Sequence, residues 1–400
     1  MRQLFIHQPF YKLCLFFGCI LVLLTACAGQ RGSGTGVASP TPHAQGTTSA
    51  GSGSITPSPG VGLGPRPCPV AVNDPAYWDP LIPTQANVSS VRTVTCGNLK
   101  GVPTLQALVT VLYQGTGRIL DVYVFDNITA STPLPMFRLQ GLYKGDARIS
   151  SYNTLLTAEV DQHSGLNNNK SNAELVPDLF REFKWSDGAG TLVQVSFPGI
   201  FPDLTRYQAD VDQAQVNQGH QPWKLSATMT AQAFGASLLH WNPNALATLT
   251  SGAGAHDAQA TVSLKNTSPG SSALALTMAR LEGKTNGGIW LVIAVAASNL
   301  SITQPQNASV IHSGITVTGT GSAFEGSIGR VTILDHLYTD IGHAQARGAV
   351  GTGMTTFTTA ITFQPTFKTG AQEGLIMLAS ENMAAGGIAG AVVVKVLIQL

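Results

Sequence analysis

Asp161-Gln162-His163-Ser164 sets a carboxylate, an imidazole and a hydroxyl close together in the chain. These are the residue types of a nucleophilic triad, in which a base takes the hydroxyl proton and an acid orients the base. Triads assemble from distant parts of a fold, so adjacency inside the polar stretch DQHSGLNNNKSN reads as loop composition. Asp335-His336, Asp340 and His343 offer two carboxylates and two imidazoles, which could surround a metal if the loop between them folds back. Their spacing matches no metal signature, and no metal is expected there. Gly283-Lys284-Thr285 echoes the end of a phosphate-binding loop, but Met278 stands where the first glycine of that motif belongs, so it reads as a turn. Glu159 and Asp161 alternate as residues on one strand face do, which does not by itself make them a hydrolytic acid pair. His256-Asp257 precedes a strand without a visible partner. Trp78, Trp185, Trp223, Trp241 and Trp290 are widely spread, and they are expected in cores and interfaces more than on a glycan-stacking platform. No catalytic residue and no cofactor site is expected.

The composition describes the scaffold that must hold these groups. Charged residues are 11% of the 400-residue chain, against about 25% in an average soluble protein. The net charge of +1 offers no basic field for nucleic acid. Hydrophobic residues reach 44%, enough for a sizeable core under a surface of Thr, Ser, Asn, Gln and Gly.

Arg2 and Lys12 bracket a weakly basic start, and Leu13 to Ala26 is an apolar run of fourteen residues. About 20 residues are needed to cross the hydrocarbon core, so this length suits a secretory signal better than a span. Leu24-Thr25-Ala26-Cys27 resembles the lipobox of bacterial lipoproteins, an aliphatic residue and two small residues before a cysteine. The resemblance implies cleavage between Ala26 and Cys27 and a diacylglyceryl group on the Cys27 sulfur. Residues 1–26 are then a signal peptide, the membrane is a partner through the N-terminal lipid, and the protein works outside the cytoplasm. Residues 27–67 are a Gly/Ser/Thr/Pro-rich tether too poor in bulky apolar side chains to offset the entropy of ordering. Gln30 to Pro67 has a mean reach of about 30–40 Å as a flexible coil.

Cys14 and Cys19 leave with the signal, and Cys27 carries lipid. Cys68 and Cys96 remain, and in an exported chain they are expected to pair, with two free thiols as the alternative. Closing that loop contributes about 3–4 kcal/mol in the chain-entropy model. The prolines of CPVAVNDPAYWDPLIPTQANVSSVRTVTC argue against regular structure inside it.

Three folded regions follow. In residues 68–219, Ala107, Val109, Val111 and Tyr113 alternate, Gln114 to Gly117 turn, and Leu120, Val122 and Val124 alternate again, as in a β-hairpin. Phe137–Tyr143, Leu155–Val160 and Thr191–Phe197 are further strands. Leu204, Tyr207, Val211 and Ala214 mark a closing helix with Asp203 as its N-cap. Residues 220–299 predict a small α+β unit. Ser226 caps a helix whose Ala227, Ala231, Phe234, Leu238 and Trp241 share a face, and strands follow at Ala258–Lys265, Leu274–Leu281 and Ile289–Ala297. Residues 300–400 are almost purely β, with short strands at Ser309–Ile311, Ile315–Thr320, Arg330–Asp335, Ala344–Val350, Thr355–Phe363, Leu375–Ser380 and Val392–Leu400. This spacing predicts an immunoglobulin-like β-sandwich, and the fold class as a whole is mainly β with α+β.

The last region carries a second resemblance. Ile302, Pro305 and Ala308-Ser309-Val310, then GITVTGTGSAFEGSIG, the late strand GLIMLAS and the final alternating strand are similar to the immunoglobulin-like domain of bacterial spore-germination and sporulation proteins. ENMAAGGIAGA departs from the more polar turn of that family before its last strand. The resemblance implies an envelope module without enzymatic activity and an association with sporulation or germination. The expected function is therefore a lipid-anchored, non-catalytic envelope protein that recognises or assembles with an envelope protein or glycan. The alternative is a surface hydrolase of cell-wall or glycan material. A solute-binding lipoprotein fits poorly, because the βαβ rhythm of two-lobed receptors is missing.

Overall fold

Period-two alternation becomes three antiparallel-rich sheets in the computed structural model, which describes residues 63–400 except 284–286, 352, 369 and 383–385. The signal sequence, Cys27 and the tether through residue 62 lie outside the described residues, which all belong to one unit. The first sheet has five strands in chain order: β1 (Pro65–Arg66), β2 (Ser89–Gly97), β3 (Gln106–Tyr113), β4 (Leu120–Asp126) and β5 (Leu134–Leu142). Pro65 and Arg66, tether by composition, pair with Gly97 and Cys96. The second sheet is a four-stranded meander of β6 (Asp146–Ile149), β7 (Leu155–Glu159), β8 (Leu179–Ser186) and β9 (Thr191–Val195).

The central strands of the first sheet are buried on both faces. Ala107, Val109, Val111, Tyr123 and Phe125 pack against Val72, Trp78 and Ile82 from the Cys-bounded loop. Leu108, Leu120, Val122 and Val124 meet Leu155, Phe183 and Leu192 of the second sheet. Alternate residues point to opposite faces of a strand, so two covers explain the unbroken burial of β3 and β4. Cys68 and Cys96 are joined by a disulfide across 28 residues. Trp78 of that loop is fully buried against the sheet, and its Nε1–H donates to the Val72 carbonyl at 2.9 Å. The loop is therefore ordered despite its prolines, and β2 forms after the last of them.

Two helices lead into the third sheet. In α1 (Arg206–Asn217) the N-cap is Thr205, not Asp203: the Gln208 amide donates to Thr205 Oγ1 at 3.3 Å, while Asp203 is buried before the cap. In α2 (Ala227–Leu238) Ser226 is the cap, accepting from the Met229 amide at 3.4 Å. Ala227, Ala231, Phe234, Leu238 and Trp241 are buried in one cluster, with Trp241 lying just beyond the helix.

The strands β10 (Leu246–Gly252), β11 (Gln259–Lys265), β12 (Leu274–Ala279) and β13 (Leu291–Ala297) form a meander. Then come β14 (Leu300–Gln304), β15 (Ser309–Ile311), β16 (Ile315–Ala323), β17 (Ser327–Leu334), β18 (Asp340–Arg347), β19 (Gly353–Ile361), β20 (Ala371–Glu381) and β21 (Ile388–Gln399). One layer runs β21-β20-β17-β18 and the other β14-β16-β19, with β15 parallel to β21. That is the strand order of an immunoglobulin-like sandwich. Its core holds Val317, Phe357 and Ile361 from one layer and Val331, Ile333, Ile376, Leu378, Val396 and Ile398 from the other. The meander joins the sandwich at Val295↔Val393, so the sheet continues across residue 299.

The outer face of β20 and β21 is also covered. Leu375, Met377, Ala379 and Val393 share a core with Phe234 and Leu238 of α2. Segment 196–204 is pinned to these strands by buried charge. Lys395 Nζ donates to the Gly199 and Leu204 carbonyls at 2.7 and 2.5 Å, and Glu373 accepts from Ser196 Oγ and the Phe197 amide, both at 2.8 Å. Among the described residues no helix is long and apolar enough to cross a membrane.

Candidate binding cleft

The cover on the β17–β20 face ends at the C-terminus of α2, and a cleft of about 660 Å³ opens there. That volume suits a small ligand or a short segment of a larger one. Its apolar lining is Leu238, Leu334, Tyr338, Met377, Ala379 and Ile388, and its polar lining includes Ser237, His240, Arg330, Asp340, Glu381 and Asn382. The wall beside α2 is held by Trp241, whose Nε1–H donates to the Ile388 carbonyl at 2.8 Å. Tyr338 turns its hydroxyl away from solvent, donating to the Ile200 carbonyl at 2.8 Å. Burial raises its pKa well above the usual phenol value, so it stays protonated. Arg330 and Asp340 pair at 2.6 Å on the exposed sheet edge, and His343 Nδ1 lies 3.0 Å from Asp340. Glu381 has no ion-pair partner among the described residues. No hydrogen bond joins Ser237 or Ser380 to His240 among them, so the cleft lacks a nucleophile–base pair in contact.

The four residues weighed as metal ligands part into two places. Asp340 and His343 lie exposed on β18. Asp335 and His336 are buried at the end of β17. Asp335 shapes the turn there, accepting from the Leu337 and Thr339 amides at 2.8 and 2.9 Å and from Thr366 Oγ1 at 2.9 Å. Among the described residues, no three His, Cys, Asp or Glu side chains are placed to hold a metal. Asp161 and Ser164 are likewise parted from the histidine beside them in the sequence. Both are buried, and His163 between them is exposed. The imidazole near them is that of His336.

Converging carboxylates occur around Arg206, which no sequence pattern signals. Arg206 Nε binds Glu182 at 2.7 Å and its Nη1 binds Glu282 at 2.5 Å. Burial pushes the Glu282 carboxyl up to about 9, against the attraction of Arg206, and a hydrogen bond with Asp210 helps to hold the proton. The guanidinium stacks on Tyr152 and Phe197, 4.3 and 4.9 Å from the ring centroids. These acids knit α1 to β8 and to the end of β12, and they do not line the cleft. Lys284 and Thr285 of the phosphate-loop echo lie outside the described residues. Trp78 and Trp290 are fully buried, which makes them core residues. Comparison with protein-family models and with the curated proteins finds no match to this chain.

Proposed function

We propose that this chain is a lipid-anchored, non-catalytic protein of the cell envelope that recognises a protein or glycan partner outside the cytoplasm. One observation carries the recognition role. A cleft of about 660 Å³ opens to the surface with an apolar floor and a mixed polar rim, while the convergent acids around Arg206 do not line it. A hydrolase needs a nucleophile or acid–base pair at the surface that meets substrate. The anchoring role rests on Leu24 to Cys27, and the disulfide suits an oxidising compartment. The immunoglobulin-like strand order supports the reading of the last region as an envelope module, and a tie to sporulation or germination rests on its sequence resemblance alone.

The test replaces Ser237, exposed at the mouth of the cleft, with Trp. The full chain in detergent is incubated with envelope extract, and bound components are compared between wild type and Ser237→Trp at equal Tm. Loss of one discrete component in the variant supports the cleft as the recognition site. Equal retention of every component, or release of soluble fragments from cell-wall material by the wild type, overturns it.

A further inference from the structure

The loop between β7 and β8 folds onto the turn after β17 and buries four polar side chains together. Asp161, Ser164, Asp178 and His336 are 7%, 1%, 1% and 4% exposed. The Asp161 amide donates to Asp178 Oδ1 at 2.8 Å, and the His163 amide donates to Asp161 Oδ1 at 2.8 Å. The second oxygen of each carboxylate, Ser164 Oγ and both His336 ring nitrogens have no hydrogen-bond partner. Burial raises the Asp178 carboxyl above its ordinary value, and the neighbouring Ser164 and Asp161 amide oppose that rise only in part, the Ser164 hydroxyl staying outside hydrogen-bond geometry.

Among the described residues no cation pairs with the carboxylates of Asp161 and Asp178. The groups acting on His336 are Asp335 on its own turn and Asp178 and Asp161 from the facing loop, with the Phe367 ring packed against its edge. Burial outweighs those carboxylates and holds the imidazole below its ordinary range, so at neutral pH it brings no positive charge. Two buried carboxylates with orphaned oxygens and no cation are an expensive arrangement, and such groups call for an ion or ordered water.

We infer that Asp161 Oδ2, Asp178 Oδ2 and Ser164 Oγ are the side-chain donors of a site for a hard divalent cation, calcium by ligand type. All three donors are oxygens, which calcium takes six to eight at a time, completing its shell with carbonyls and water. Among the described residues no three His, Cys, Asp or Glu side chains are grouped as a zinc site requires. Calcium here would tie the β7–β8 loop, which faces the immunoglobulin-like sandwich, into one rigid junction. The inference is independent of the cleft and of what the cleft binds.

The full chain, stripped with a chelator, is titrated with calcium chloride and with zinc chloride by calorimetry, and its Tm is measured with and without about 5 mM calcium, above the range of weak extracellular sites. The expected results are one calcium per chain and a Tm rise of about 3–6 °C. Both are lost in Asp161→Asn and in Asp178→Asn and kept in Asp340→Asn. The Asn variants remove a buried charge, so folding is retained and the calcium response can be read. No calcium heat and no Tm shift, a shift that survives in both Asn variants, or tighter zinc than calcium binding overturns the inference.

Discussion

Glu282 should make the protein progressively less stable as pH rises, and Gln at that position should remove the effect. The carboxyl is 2% exposed and its pKa lies near 9 in the fold, against an ordinary value of 4.5. A folded pKa above the unfolded one means that the stabilising contribution is complete below pH 4.5 and is lost as pH rises through about 9. Each pH unit inside that window costs up to about 1.4 kcal/mol. Between pH 7 and pH 9 the ceiling is therefore about 2.7 kcal/mol, and about 1–3 kcal/mol is expected after relaxation of the site. Other groups titrate in the same range, notably Lys395, whose pKa burial lowers to about 8 and whose contribution has the opposite sign. The comparison that isolates Glu282 is the difference between wild type and Glu282→Gln in urea unfolding at the two pH values. Gln keeps the shape, accepts from Arg206 and donates to Asp210, so the variant should match or exceed wild-type stability at pH 7. Its loss between pH 7 and pH 9 should be smaller than that of wild type by the same 1–3 kcal/mol, as an order of magnitude. A loss of about 3 kcal/mol at pH 7 with an unchanged pH slope would show that Glu282 is ionised against Arg206, and the reasoning would fail.

Lys395→Met should cost about 3–5 kcal/mol in urea unfolding, because it strands buried Glu373, and adding Glu373→Gln should recover part of that loss. Cys68→Ser with Cys96→Ser should cost about 3–4 kcal/mol, read as a fall in Tm that reductant does not deepen. Phe234→Ala should cost about 3–5 kcal/mol, since Phe234 is fully buried in the core that α2 shares with the β10–β13 meander and Phe201. Cys27→Ser should abolish acyl labelling and move the protein from the membrane to the soluble fraction.

The elements that announced themselves were those whose sequence period matched a single environment. β16 and β19 alternate between core and solvent, the fully buried β3–β4 hairpin is apolar on either side of its turn, and α2 carries both its cap and its apolar stripe. β8 went unseen because Arg181, Glu182 and Lys184 break its apolar pattern. Arg181 and Glu182 are nonetheless buried there, paired with Glu159 and Arg206, which are distant in sequence. β2 was masked by the prolines that precede it in the disulfide loop, and β10 because its face is largely exposed and gives no apolar signal. The cleft has no local signature, since α2, β17, β18 and the β20–β21 hairpin each contribute a few ordinary residues. Asp161, Ser164 and His336 each drew notice as chemistry-bearing residues. Their meeting depends on a long loop folding onto a turn of the sandwich, a contact that no periodicity encodes.

Recognition through the cleft is tested most directly by site-specific photo-crosslinking in intact cells. A photoreactive side chain is placed at Ser237 in the cleft mouth and, as a control, at Val70, which is 89% exposed on the disulfide loop away from the cleft lining. The expected outcome is one discrete adduct from position 237 and none from position 70. No adduct at 237, or the same adducts from both positions, would contradict a binding role for the cleft.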